Sequence, residues 1–300
     1  MGARKIIRKK AGLERLTDVQ KRLFMSRAEG FIADSESNQK ITFAFDHDPD
    51  HDTFQLRSIE GRSKTDRNGL LEGFLTLPHD KAQRLLQAQG STQGWLTYRA
   101  VFKHHDGVGR VRLLEAGGLS VISDMDDTLK VTGITAGEQV VLRNTFFREF
   151  VIAPGMAEMY QAFEPAVAFH YISGAPWQLY EPLSQFLFSN SVRFPSGSFH
   201  MKNVRTNPFE SETYHDFWKL LVNGSKRTTI VQKLRQISAV ITHFPQRKFI
   251  LIGDSGEADP EVFQAIQDRY GEQVQDIRIR DVANDREKNP SRLANMTILP

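Results

Sequence analysis

The sequence predicts an α/β protein: a parallel sheet with helices on both faces, preceded by a small β-sandwich domain. Two observations carry this. After Gly117, short apolar runs alternate with amphipathic stretches, the pattern of strands joined by crossover helices. Before Gly117, short alternating segments are separated by turn residues, which suits a β-sandwich or barrel. A third observation bears on function. The first three apolar runs of the second half each end in or run into a polar residue or a glycine, where parallel sheets bind their ligands.

The expected division is a basic segment at 1–25, a β-sandwich-like domain at 26–116 and the α/β domain at 117–300. Arg4, Lys5, Arg8, Lys9, Lys10, Arg15, Lys21, Arg22 and Arg27 face only Glu14 and Asp18 in the same stretch. That segment reads as a solvated basic tail. With Ile6, Ile7, Leu13, Leu16, Leu23 and Phe24 as one side of a loose helix, it could also rest on an anionic membrane. Expected strands of the first domain are Ala28 to Ala33, Ile41 to Phe45, Phe54 to Ile59, Leu70 to Leu77, Trp95 to Phe102 and Val108 to Leu114. Arg67-Asn68-Gly69 and His105-Asp106-Gly107 read as turns, since Asn, Asp and Gly tolerate the left-handed backbone.

In the second half, Leu119 to Ser123, Val167 to Ile172, Phe249 to Ile252 and Ile277 to Ile279 are the expected strands. From Lys226 to Phe244, the residues Ile230, Leu234, Ile237, Ile241 and Phe244 fall on one helical face. Pro154 and Pro260 sit where a first helical turn accepts proline.

With 40% hydrophobic and 25% charged residues over 300 positions, the composition is that of a globular chain and excludes a disordered or collagen-like one. The absence of cysteine excludes disulfide scaffolds, thiolate metal sites and cysteine nucleophiles. No apolar run is long enough to cross a bilayer, and no secretory signal is legible. The expectation is a cytoplasmic protein, at most peripheral to a membrane, with no nucleic-acid partner.

The first strand of the second half runs into Asp124-Met125-Asp126-Asp127-Thr128. Two carboxylates in one tight turn repel each other unless a cation offsets them, which points to magnesium. One carboxylate could attack phosphorus while the other donates a proton to the leaving oxygen and later activates water. Taken alone, the same residues are equally ordinary loop chemistry. The next strand ends in Ser173-Gly174, a helix starts at Ser225-Lys226, and a further strand runs into Gly253-Asp254-Ser255-Gly256-Glu257-Ala258-Asp259. A serine hydroxyl with the following amide can hold a phosphoryl oxygen, a lysine can neutralise charge, and a distant aspartate can complete a magnesium shell. Ser173 could instead cap a helix, and Asp259 before Pro260 reads equally as an N-cap or as a ligand.

These segments resemble the four motifs of the haloacid-dehalogenase superfamily. Val121 to Thr128 followed by Val131-Thr132-Gly133, then Tyr171 to Tyr180, then Gly253 to Glu261, closely resemble the phosphatidate phosphatases of the yeast actin-patch-protein type and their bacterial relatives. The Thr65-Asp66-Arg67-Asn68-Gly69 turn resembles that family too. The resemblance implies a haloacid-dehalogenase-type Rossmann-like sheet. It implies Asp124 as nucleophile, Asp126 as acid and base, and Thr128 as a helper in motif one. Ser173 with Gly174 would hold the substrate as motif two and Lys226 would do so as motif three. Asp254 and Asp259 would form motif four, and Asp124, the Asp126 carbonyl and Asp254 would hold Mg2+. Met125 and Ser225 stand where the family commonly has Ile or Leu and His, and neither change removes a reacting group.

The stretch from Lys130 to Ala153 is too short for a cap domain and reads as a flap with an apolar edge. An open site with apolar surroundings suits a phosphate on a large or membrane-bound partner, in agreement with phosphatidic acid as the substrate the resemblance implies. Other phosphomonoesters, soluble or on protein, are the alternative. A non-catalytic lipid-binding module is a third, opposed by the intact Asp124 and Asp126. Aromatic residues at Phe199, Phe209, Tyr214, Phe217 and Trp218 read as satellite core, and Asp46 to Asp52 as a solvated hairpin loop. His104 and His105 adjoin a turn, and His170 reads as a core histidine.

Overall fold

The computed structural model describes residues 8–9, 11–32, 36–57, 64–102, 105–203 and 226–299. In chain order its elements are α1 (Asp18–Ile32), β1 (Thr42–Phe45), α2 (His79–Ala88), β2 (Trp95–Phe102), β3 (His105–Arg112) and β4 (Gly117–Asp124). There follow α3 (Glu138–Phe146), α4 (Met156–Gln161), β5 (Ala168–Pro176), α5 (Tyr180–Leu187) and β6 (Ser198–Lys202). The last are α6 (Lys226–His243), β7 (Gln246–Asp254), α7 (Asp259–Tyr270), β8 (Val274–Arg280), α8 (Asp285–Lys288) and β9 (Thr297–Leu299). The chain divides into two compact units, Met1–Ala33 with Ala116–Pro300, and Asp34–Glu115.

The larger unit is built on a six-stranded sheet of order β6-β5-β4-β7-β8-β9. Every neighbouring pair in it is parallel. Successive side chains of a strand point to opposite faces, and the strands are apolar on both. Val121, Phe169, Tyr171, Ile250 and Ile252 pack on one face with α4 and α5, while Ile122, Ile172, Phe249 and Leu251 pack on the other with α6 and α7. The four strands expected from the sequence all form, each a few residues longer. The stripe expected on α6 is the face that packs: Ile237 and Ile241 are buried, with Ile230, Leu234 and Phe244 against the same core.

The N-terminal segment corrects the sequence reading. Residues 28–32 belong to helix α1, not to a strand, and lie in the larger unit rather than in a β-rich domain. Phe24, Ala28 and Phe31 recur at helical spacing, and all three are buried in the main core. Phe24 stacks on Phe147 with ring centroids 5.5 Å apart. The start of α1 is a capping box: the Thr17 hydroxyl accepts from the Gln20 amide at 3.2 Å, and the Gln20 side chain accepts from the Thr17 amide at 3.0 Å. Arg27, counted with the basic tail, is buried and donates to the carbonyls of Thr145 and Arg148 at the end of α3. Phe24, assigned to a membrane-facing side, is thus already covered by protein. Arg4, Lys5, Ile6, Ile7 and Lys10 lie outside the described residues.

Among the described residues the smaller unit has an antiparallel sheet of order β1-β2-β3 and the helix α2, where a β-sandwich or barrel was expected. The stretches at 54–57 and 70–77 make only the isolated bridges Phe43 to Phe54 and Arg57 to Phe74. Leu75 and Leu77 turn inward instead, against a core of Phe45, Leu85 and Leu96. Residues 58–63 lie outside the described residues. Strand β3 begins at His105, paired with Phe102, so 105–107 is strand rather than turn. The turn at Asp66 is as expected: its side chain accepts from the amides of Asn68 at 2.8 Å and Leu70 at 2.9 Å, and Gly69 has φ 74°.

The acidic loop of this unit is not simply solvated. Lys81 on α2 reaches into it and bonds Asp48, Asp50 and Asp52 at 2.5, 2.8 and 2.8 Å. These three carboxylates converge closely enough to hold a cation, and the ammonium of Lys81 is that cation. Burial would lower the Lys81 pKa, but the three carboxylates override it and hold the pKa above the usual lysine range. Lys81→Ala is therefore expected to lower the unfolding midpoint, because one partner of a buried ion pair is removed. Added calcium should restore part of the loss; a melting curve indifferent to both changes would contradict this.

Candidate active site

Because β4 lies between β5 and β7, the carboxyl ends of these three strands emerge side by side. Asp124 pairs in register with Ile172, one residue before Ser173, and Ser123 with Ile252, two before Asp254. The order of the chain reverses direction across the sheet at β4, which opens a crevice there.

The turn after β4 is held rigidly. Asp127 adopts φ 53°, and its carboxylate accepts from the amides of Thr132, Gly133 and Ile134 at 2.7, 2.8 and 2.6 Å. Arg280 donates to its carbonyl. Asp127 therefore shapes the loop. Asp126 faces the crevice, where it accepts from Lys130 at 2.5 Å, from the Thr132 hydroxyl at 2.7 Å and from the Ser173 hydroxyl at 3.0 Å. Burial would raise its pKa, but Lys130 and the two hydroxyls together hold it below the usual carboxylate range. The Ser173 hydroxyl also accepts from the Ala175 amide at 2.9 Å, so it both braces its own turn and touches Asp126. An added Cβ on Gly174 would meet only Thr229, at 3.8 Å, so the Gly174 peptide borders open space. Thr128 is fully buried.

Three further carboxylates gather on the other side of Asp124, making four with it. Lys233 of α6 donates to Asp124 at 2.8 Å, Glu257 at 2.9 Å and Asp259 at 2.5 Å. Asp254 accepts from the Gly256 amide at 2.6 Å. Oxygen atoms of Asp124, Asp254 and Asp259 lie within 4.8 Å of one another. Burial lowers the Lys233 pKa, yet the surrounding carboxylates outweigh burial and hold it well above the usual range. Burial pushes Asp124 up, against the pull of Lys233 and with the neighbouring acids adding to the rise. Asp254 is raised in the same way, by burial and then by Asp259 and Glu257. One ammonium does not balance four acids.

Asp124 Oδ2 and Asp254 Oδ2 are buried and have no hydrogen-bond partner among the described residues. Leaving such atoms bare costs free energy. An all-oxygen donor set with surplus negative charge fits a hard divalent cation. Asp259, open between cap and ligand on sequence, is fully buried with no N-cap role; its second oxygen accepts from the Asp254 amide at 3.3 Å. Gly253 makes room for it, since a Cβ there would lie 2.4 Å from the Asp259 carboxylate.

The sequence reading put the motif-three lysine at Lys226. Among the described residues the lysine that touches Asp124 is Lys233, two turns further along α6. Lys226 opens that helix and its side chain lies outside the described residues, as do Phe209, Tyr214, Phe217, Trp218 and Ser225. The signal for Lys233 was present. It falls three residues after Ile230 and four before Ile237, a lysine on the apolar face of the helix. Glu257, Lys130 and Thr132 were likewise not assigned roles from the sequence. His170 is a core histidine as expected, bonded to Ser198 at 2.8 Å, with burial pushing its pKa down to about 3.

Arg292 fastens the loop that carries Asp254, Glu257 and Asp259. It donates to the carbonyls of Ser255 and Glu257 and pairs with Glu261 at 2.6 Å and Asp285 at 2.5 Å. Arg292→Ala is expected to lower turnover by about 100-fold, the usual effect of a small displacement of reacting groups. Steady-state kinetics with circular dichroism checks this, and full turnover in the folded variant would refute it.

Residues 119–281 match the family described as phosphatidate phosphatase APP1, catalytic domain. The chain is 30% identical over 178 residues to phosphatidate phosphatase APP1 of Saccharomyces cerevisiae, covering 58% of this chain and 28% of that protein. It is 28% identical over 188 residues to an uncharacterised protein of Schizosaccharomyces pombe, covering 59% of this chain and 27% of that one. The matched region is thus under a third of either relative's length. Likeness to a solved carbohydrate esterase is slight, with a TM-score of 0.23 at 11% identity over 80% of this chain and 77% of that one.

Proposed function

This chain belongs to the phosphatidate phosphatase APP1 catalytic-domain family, and on that premise we propose that it is a magnesium-dependent phosphatidate phosphatase with a haloacid-dehalogenase-type fold. The observation that supports the reading most is the juxtaposition of Asp124, paired with a buried Lys233, and Asp126 on the crevice side of the same turn. In this reading Asp124 attacks phosphorus, the bond to the leaving oxygen breaks, and an aspartyl-phosphate forms. Asp126 passes a proton to the leaving oxygen. Lys130 and the two hydroxyls favour its ionised form, so the proton it passes on is taken up from solvent before the leaving oxygen departs. The ionised Asp126 then takes a proton from the water that releases phosphate.

Lys233 fixes Asp124 in place and pulls its pKa down against burial. Ser173 orients Asp126 and, with the Gly174 peptide, borders the space for a phosphoryl oxygen. Asp124 and Asp254, with Asp259 and the Asp126 carbonyl beside them, would hold Mg2+. When bound, the ion supplies positive charge to the phosphate oxygens.

The test is phosphate release from phosphatidate vesicles and from a soluble monoester, with magnesium and with chelator. Release from the vesicles that requires magnesium is expected. A marked preference for the soluble ester would favour the other phosphomonoester reading.

A further inference from the structure

A cavity of about 210 Å³ opens beside Asp126, and the proposed reaction does not yet use it. Its polar lining includes Asp126, Lys130, Thr132 and Glu257, with Glu138 and Thr145 of α3. Its apolar lining is formed by Val141, Leu142 and Phe146 of α3, by Phe150, and by Leu179 and Leu183. We infer that this cavity receives the first part of one acyl chain of the lipid whose phosphate is cleaved at Asp124. The inference rests on the phosphatidate reading above and names where its apolar part binds.

The apolar part of the lining, next to Asp126, carries the argument. The group that protonates the leaving oxygen is Asp126, so whatever that oxygen is attached to must lie next to Asp126. From there a leaving group meets hydroxyls, the Lys130 ammonium and an apolar lining in which Glu138 and Thr145 are the polar members. Glycerol with an ester-linked chain combines the same two characters, polar and apolar. Size limits how much enters. Cavities for whole drug-sized ligands run roughly 300–1,000 Å³, so this one takes a short hydrocarbon segment and leaves the remainder outside.

The walls are preformed. Arg27 of α1 bonds the carbonyls of Thr145 and Arg148 at 2.8 and 2.6 Å, and its guanidinium lies 3.7 Å over the Phe150 ring. Phe150 also packs edge-on to Phe186 of α5, with centroids 5.3 Å apart. The flap is tied at its base, where the amide of Val131 donates to Val151 and that of Ala153 to Leu129, both at 2.8 Å. A wall held at both ends keeps its shape without the ligand, which favours binding of an apolar group.

The experiment compares wild type, Val141→Phe and Val141→Trp on dioctanoyl phosphatidate, glycerol 3-phosphate and 4-nitrophenyl phosphate. Val141 is only partly buried and has no role in the proposed reaction, so at least the smaller substitution should fold; circular dichroism checks both. Filling the cavity should lower kcat/KM on dioctanoyl phosphatidate by about tenfold or more, the effect of losing a few methylene contacts. Hydrolysis of glycerol 3-phosphate should stay unchanged. Phosphatidate hydrolysis indifferent to both folded variants overturns the cavity assignment while leaving the phosphatidate reading intact. Equal losses on phosphatidate and glycerol 3-phosphate also overturn it. Losses confined to 4-nitrophenyl phosphate would assign the cavity to an aryl leaving group instead. A wild type that prefers glycerol 3-phosphate to phosphatidate removes the phosphatidate reading, and the inference with it.

Discussion

Lys233→Met is expected to abolish phosphate release and to weaken the fold at the same time. Lys233 is 2% exposed and is the cation that Asp124, Glu257 and Asp259 share. Removing one partner of a buried pair costs about 3–5 kcal/mol, because the other charges stay behind unpaired. Denaturant unfolding in chelator should show that loss, and magnesium should recover part of it. Turnover should fall by about 100- to 1,000-fold, as when a charge-stabilising group is removed. Lys226→Met in the same helix is the control and should keep most of the activity. Full loss in Lys226→Met with activity retained in Lys233→Met would reverse the assignment.

Metal binding gives the second large effect. Asp124 Oδ2 and Asp254 Oδ2 are buried acceptors with no partner among the described residues, and burial together with the neighbouring acids raises the pKa of both groups. A divalent cation relieves that strain, so magnesium should stabilise the folded protein. At a concentration 100 times its Kd the gain is about 2.7 kcal/mol, read as a rise in Tm. Asp254→Asn should lose this rise together with most of the activity, while in chelator it should be at least as stable as wild type, since one buried acid has gone. A wild-type Tm unaffected by magnesium would remove the ion from Asp124 and Asp254.

Much of the larger unit was legible because its strands are apolar and its helices periodic. Those two periods placed Asp124, Ser173 and Asp254 at strand ends, and the sheet order makes the three strands neighbours. Asp259 could not be decided from the chain alone, because an aspartate before proline at a helix start is the same sequence whether it caps or binds. Its partners, Lys233 and the Asp254 amide, come from a distant helix and from the preceding strand. Lys233 was passed over for a related reason: a lysine among isoleucines reads as an interruption of the stripe, and only tertiary packing reveals three acids waiting for it.

The N-terminal segment was misread because charge dominated the reading. The capping box from Thr17 to Gln20 and the spacing of Phe24, Ala28 and Phe31 were visible, but their partners on α3 and beyond lie more than a hundred residues away. In the smaller unit, alternation at 54–59 and 70–77 predicted strands. Two isolated bridges are what the described residues form there, since alternation specifies a face to bury and not a partner strand.

The central claim is that Asp124 forms the covalent bond to phosphorus. The most direct measurement is acid-quenched single turnover with phosphate-labelled phosphatidate, followed by peptide mapping of the protein. The account predicts transient label on the peptide containing Asp124, with magnesium present, and none in Asp124→Asn, which also releases no phosphate. Phosphate release by wild type with no labelled protein at any time, or turnover surviving in Asp124→Asn, would contradict it.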